Sequence, residues 1–167
     1  MQQLFSFPNP VNEVSARLVA AGVVLLSVAT IAFDQPWLLL VLAYGFVARV
    51  LTGPTLSPLG QFVTRVVTPR LRVAPKLVAG PPKRFAQGIG ATLSVAAAIS
   101  EFAFGETALA FVLVGLIIVA ATLESVFALC LGCKAFGVLI HFGVIPEEIC
   151  ERCNNIWAND PGLEHAG

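Results

Sequence analysis

Charge is scarce in this 167-residue chain: Asp, Glu, Lys and Arg together supply 12% of it, about half the share usual in a soluble domain. That scarcity excludes a disordered segment and a charge-laced coiled coil, and it disfavours a cytosolic enzyme. Cysteine is also sparse, four residues confined to one stretch, which is not the distribution of a secreted disulfide scaffold. Acidic residues are missing altogether between Asp34 and Glu101, an interval that holds Arg49, Arg65, Arg70, Arg72, Lys76, Lys83 and Arg84. What fills the chain instead is apolar: 57% hydrophobic residues and a mean hydropathy of +0.85. The length suits one domain, and residues 1–167 are expected to form a single integral-membrane unit.

A helix crossing a hydrocarbon core of about 30 Å needs roughly 20 apolar residues. Four runs qualify, at about 14–33, 37–51, 85–100 and 107–129. The expected fold is therefore an all-α membrane protein of four transmembrane helices arranged as two hairpins, joined by a basic loop. Six of the ten basic residues lie between Thr52 and Arg84, and Lys and Arg in such loops stay cytoplasmic. That places both termini in the cytoplasm and the turns bearing Asp34, Glu101 and Glu106 outside, in a bacterial cytoplasmic (inner) membrane. Met1–Pro10 has no basic n-region and no small-residue cleavage site follows the first run, so the first helix is expected to remain as an anchor. No repeat of fixed period suggests a solenoid or a transporter.

Within the loop, Ser57 is placed to cap a helix beginning at Pro58, with Leu59, Phe62, Val63, Val66 and Val67 on helical spacing until Pro69 stops it. An amphipathic interfacial helix is expected there, with Arg65, Arg70, Arg72 and Lys76 toward anionic lipid; the alternative is a helix packed under the bundle. No aromatic residues interleave these charges, so they give no sign of a nucleic-acid partner.

The distinctive segment is 130–157. Cys130-Leu131-Gly132-Cys133 is followed by sixteen residues and then Cys150-Glu151-Arg152-Cys153. Two C-x2-C pairs at this separation match a four-thiolate zinc site. The same residues also suit two dithiol pairs that exchange electrons or carry sulfur. Cys130 and Cys133 are expected near the C-terminal end of the fourth helix, where the macrodipole disfavours a thiolate. Pro146 is expected to open a short C-terminal helix containing Cys150. The apolar spacer 134–149 either returns along the membrane face, so that the pairs meet, or makes 125–145 a fifth or re-entrant segment that separates them. His141, alone in that spacer, receives no role.

Glu124 interrupts the fourth run, and an ionisable residue there is either functional or paired near the interface, with Arg49 as the expected partner. Gly88-Ile89-Gly90-Ala91 lacks the lysine and hydroxyl of a phosphate loop and suits close helix packing.

Several segments resemble an uncharacterised bacterial membrane family, the domain-of-unknown-function family DUF4395. The resemblance lies in Asn9-Pro10-Val11-Asn12-Glu13 with Arg17, in Gly53-Pro54 with Ser57-Pro58, in Gly80-Pro81-Pro82-Lys83-Arg84-Phe85-Ala86, and in the cysteine segment ending Gly143-Val144-Ile145-Pro146. It implies the membrane topology and the cysteine unit without naming a reaction, and it suggests thioredoxin-like proteins or sulfurtransferases as partners. Two functions are carried forward. In one, Cys150 and Cys153 exchange with a soluble partner while Cys130 and Cys133 pass equivalents inward, a thiol redox or sulfur relay. In the other, all four cysteines bind a structural zinc in a non-catalytic subunit of a larger membrane complex.

Overall fold

The computed structural model describes residues 10–71 and 73–146. The Asn12 side chain accepts a hydrogen bond from the Val14 amide at 3.0 Å and so caps helix α1, Glu13–Ala32, satisfying one of the orphan donors of the first turn. Asp34, with φ of 49°, turns the chain into α2, Trp37–Thr52. Thr52 then bridges the helix end: its hydroxyl donates to the Ala48 carbonyl and accepts from the Leu56 amide. Gly53 follows in the positive-φ region at 63°.

Ser57 caps α3, Pro58–Phe62, as its sequence position indicates. The helix does not stop before Pro69. A π-helical segment, Val63–Val67, widens the turn, and α4, Thr68–Arg70, starts afresh, so Pro69 sits in a first turn where its missing N–H costs nothing. Both readings of this segment contain part of the geometry. Gly60 and Val63 are buried and the Leu59 side chain lies against Gly22 of α1, while Phe62, Arg65 and Arg70 are exposed.

The fold is mostly helical but not purely so. Strand β1, Val11–Asn12, pairs antiparallel with β2, Leu77–Val78, and the Lys76 ammonium meets Glu13 at 2.7 Å. A two-residue ladder is too short to leave a period-2 pattern, which is why hydropathy does not announce it. Helix α5, Gly80–Phe104, exceeds its expected limits at both ends. Pro81 and Pro82 fit a first turn, and the exit lies at Gly105 rather than Glu101 because Gly105 adopts φ of 67° and its amide closes onto the Glu101 carbonyl. Helix α6 is Thr107–Phe127 and α7 is Leu131–His141.

Helix α1 packs on α6, α2 on α5, α5 on α6, and α7 on α5. Val23, Leu42, Phe46 and Ile117 form one core cluster, and Leu39, Ala97, Ala110 and Val114 a second. Gly90 admits Phe46, since a Cβ there would fall 2.2 Å from the ring; close packing is therefore the role of this glycine. The outer surface carries many large apolar side chains, with Leu25, Leu40, Ile99, Val112 and Val119 all exposed. Helices α1 and α6 are each long and apolar enough to cross a membrane. Arg17, Arg49, Lys83 and Glu124 lie at one end of these helices, and Asp34, Glu101 and Glu106 at the other.

Candidate functional site

The site begins where α6 is made to end. Ala128 takes the left-handed conformation, φ 55°, an uncommon state for a residue with a Cβ. The Arg17 guanidinium, reaching from α1, donates to the Ser125 carbonyl at 3.0 Å and the Val126 carbonyl at 3.2 Å. These are carbonyls of the last helical turn, which a cation satisfies well. The chain reverses over Ala128 and Leu129 and starts α7 with Cys130 as its N-cap residue.

This overturns the expected setting of the first cysteine pair. Cys130 and Cys133 do not sit at the negative end of α6; they occupy the first turn of α7, where the dipole favours an anion. The Cys133 side chain and backbone amide both donate hydrogen bonds to the Cys130 sulfur, which holds the Cys130 thiol below its ordinary value despite burial. The Cys133 thiol is pushed up, because it supplies that hydrogen bond, is partly buried and stands beside the Cys130 sulfur. The two thiols lie one turn apart and are hydrogen-bonded to one another. Cys130 is buried and Cys133 half-buried.

Helix α7 is held to α5 by two contacts. Gly132 lies against Ala86 so closely that a Cβ would come within 2.4 Å of its Cα, and the Phe136 ring tilts against Phe85 at 5.7 Å between centroids. With 11 residues, α7 is about 16 Å long, too short to cross the membrane core of about 30 Å. Within the described residues the spacer packs against α5 near Phe85 and Ala86.

Two polar clusters flank the thiols. The Lys83 ammonium and Glu124 carboxylate are 2.6 Å apart, so Glu124 does not take Arg49 as its ion-pair partner. The expectation failed because Lys83 precedes its apolar run by two residues yet belongs to the same helix, α5, which packs directly on α6. Arg49 is buried instead against neutral groups, donating to Gln87 at 3.0 Å and Ser57 at 3.4 Å, with its guanidinium 4.6 Å above the Phe46 ring. Neither Lys83 nor Gln87 stands out in the sequence as part of a site; a pairing search along facing helices would have found Lys83, and no local signal marks Gln87.

Cys150 and Cys153, together with the short helix expected after Pro146, lie outside the described residues. Among the described residues no three His, Cys, Asp or Glu side chains gather into a set that could hold a metal ion, so a four-thiolate zinc would require the second pair. His141 ends α7 with its ring 6.0 Å from that of Phe142.

Residues 11–141 match the family model described as a domain of unknown function, DUF4395. The matched span contains Cys130 and Cys133 and ends before Cys150. No curated protein and no solved structure matches.

Proposed function

The chain belongs to the DUF4395 family, whose description assigns no chemistry, and from the chain's own residues we propose a multi-pass protein of the bacterial inner membrane that carries a redox-active thiol pair at its cytoplasmic face. Four helices, α1, α2, α5 and α6, cross the membrane. The support is the apolar outer surface, since a soluble protein rarely leaves so large a contiguous apolar area in water. The basic end faces the cytoplasm by the distribution of Lys and Arg, and the acidic turns at Asp34 and at Glu101 to Glu106 face outward.

One observation carries the chemistry: Cys130 and Cys133 lie one turn apart at the start of α7, and the hydrogen bonds that Cys133 donates to the Cys130 sulfur lower the Cys130 thiol. A structural thiol gains nothing from such activation, whereas a dithiol that forms and breaks a disulfide needs one sulfur as a nucleophile and the other at hand. Burial of Cys130 makes this the inner pair. Cys150 and Cys153 serve as the outer pair, reduced by a soluble thioredoxin-like dithiol protein. A thiolate of the outer pair attacks the Cys130–Cys133 disulfide, and its companion thiol resolves the mixed disulfide. Two electrons and two protons move inward, leaving the outer pair oxidised and the inner pair reduced.

Alkylation mass shifts across a series of glutathione redox buffers test this reading. A Cys130–Cys133 disulfide that forms and reverses is the expected result. Thiols that stay reduced throughout, with one zinc bound per chain, would overturn it in favour of a structural metal.

A further inference from the structure

A cavity of about 390 Å³ lies between α1, α2, α5, α6 and the start of α7, within the range of small-molecule sites. Its inner wall includes Val23, Phe46, Ile117 and Ala121, all buried. The polar residues on its described lining are Gln87, Glu124 and Cys130, and Gln87 and Glu124 lie at the end of the bundle where α5 begins and α6 stops. From Glu124 back to Leu116 along α6 the lining extends about 12 Å at 1.5 Å per residue. Ile89, Leu116 and Val119 also line it, and they are 40%, 52% and 57% exposed on the outer surface of the bundle. The cavity therefore opens sideways, through the same apolar surface that the proposed topology places in lipid.

These features constrain an occupant. It enters from the hydrocarbon layer, is apolar over most of its length, and places a head group beside Cys130. Glu124 is the one charged residue on the described lining, and Lys83 neutralises it, so an anionic head gains no counter-charge there. A neutral ring with an apolar tail fits better than a phospholipid or a fatty acid. The adjacent dithiol narrows the choice further, because it gives up two electrons and two protons together, and the acceptor must take both.

We propose that this cavity binds a membrane quinone, its ring at the Cys130 end and its tail leaving past Leu116 and Val119, and that the Cys130–Cys133 dithiol reduces it. The proposal rests on the thiol-redox reading above. In the step, a bond forms between the two sulfurs and both S–H bonds are lost. The electron pair and the two protons pass to the quinone, whose carbonyl oxygens become the hydroxyls of the released quinol. Electrons supplied by the outer pair then restore the dithiol.

The test uses the full chain in detergent, with Cys150 and Cys153 replaced by Ser and the remaining pair reduced. Decylubiquinone is the membrane oxidant, its fully substituted ring being closed to thiol addition, and diamide is the water-soluble one. One quinol is expected per chain, together with the disulfide, and neither in Cys130→Ala or Cys133→Ala. Ala121→Phe on the inner wall and Leu116→Trp on the exposed rim are each expected to slow oxidation by quinone, relative to diamide, about tenfold, the equivalent of about 1.4 kcal/mol. The rim variant leaves the core intact should the first fail to fold. A disulfide with diamide but none with decylubiquinone would overturn the quinone site and leave the thiol reading standing. No disulfide with either oxidant would remove both. Quinone reduction unaffected by the two cavity variants would show that the ring reaches the thiols by another route and would overturn the assignment of this cavity.

Discussion

Lys83 and Glu124, forty-one residues apart, are joined at 2.6 Å between two helices, with side chains only 10% and 14% exposed. An ion pair so shielded gains from low local dielectric but costs both partners their hydration, so its net worth is small while the cost of breaking it is large. Glu124→Leu strands the Lys83 ammonium and is expected to destabilise by about 3–5 kcal/mol. Lys83→Met combined with Glu124→Leu is expected to recover most of that loss. Denaturant unfolding of the three variants in mild detergent decides it; a double variant as unstable as the single one would show that the pair contributes by more than mutual neutralisation.

The two cysteines should separate by pH in alkylation. Cys130 lies below the ordinary thiol value because Cys133 donates hydrogen bonds to it, so its thiolate persists at a pH where a free thiol is protonated. Its rate of reaction with iodoacetamide is therefore expected to inflect at lower pH than that of a free cysteine. Cys133→Ala removes the donated S–H and leaves burial unopposed, so the inflection should move to higher pH. Cys130→Ala acts in the opposite sense on Cys133, lowering its inflection, since both the hydrogen bond it supplied and the neighbouring sulfur are gone. Identical profiles in the parent and the Cys133→Ala variant would mean that Cys133 does not lower the Cys130 thiol.

Gly132→Ala offers a contest between two effects of known size. Alanine favours a helix over glycine by about 1 kcal/mol, which would stabilise α7 if space allowed. Here the new Cβ would come within 2.4 Å of Ala86 Cα and Cβ, and backbone cannot yield as a flexible side chain does. Overpacking of this kind costs about 1–3 kcal/mol, so the clash is expected to win. The observable consequence is α7 lifting from α5, with faster labelling of Cys130, which is buried at present, by a bulky maleimide.

The long helices were legible because hydropathy and caps speak for them: Ser57 caps α3 as expected, and α1 and α2 keep their limits within a residue. Misreadings arose where a contact distant in sequence decides local structure. Composition alone would let α6 run into Cys130, yet Arg17, more than a hundred residues earlier, takes the carbonyls of its last turn. That one reversal changes the cysteine pair from the negative end of one helix to the positive end of another. Glu124 was visible as an anomaly, but its partner depends on which helices are neighbours, which a single sequence does not encode locally. The cavity has no sequence signature, because it is a space left between Ala, Gly and Val residues on five helices.

Sidedness remains the widest consequence of the charge distribution. In a variant whose four cysteines are replaced by Ser, a single cysteine at Glu106, on the turn between α5 and α6, is expected to react with a membrane-impermeant maleimide in intact spheroplasts. A single cysteine at Lys76, whose side chain is 73% exposed at the opposite end, should react only after the membrane is opened. The two positions control for one another, since both are accessible to water once the barrier is gone. The reverse pattern would put the thiol pair on the outer face, where the reducing partner would have to be an extracytoplasmic protein and the quinone would be reached from the other leaflet. Labelling of both sites without lysis would remove the barrier between the two ends, and with it the membrane-spanning bundle on which the direction of electron flow depends.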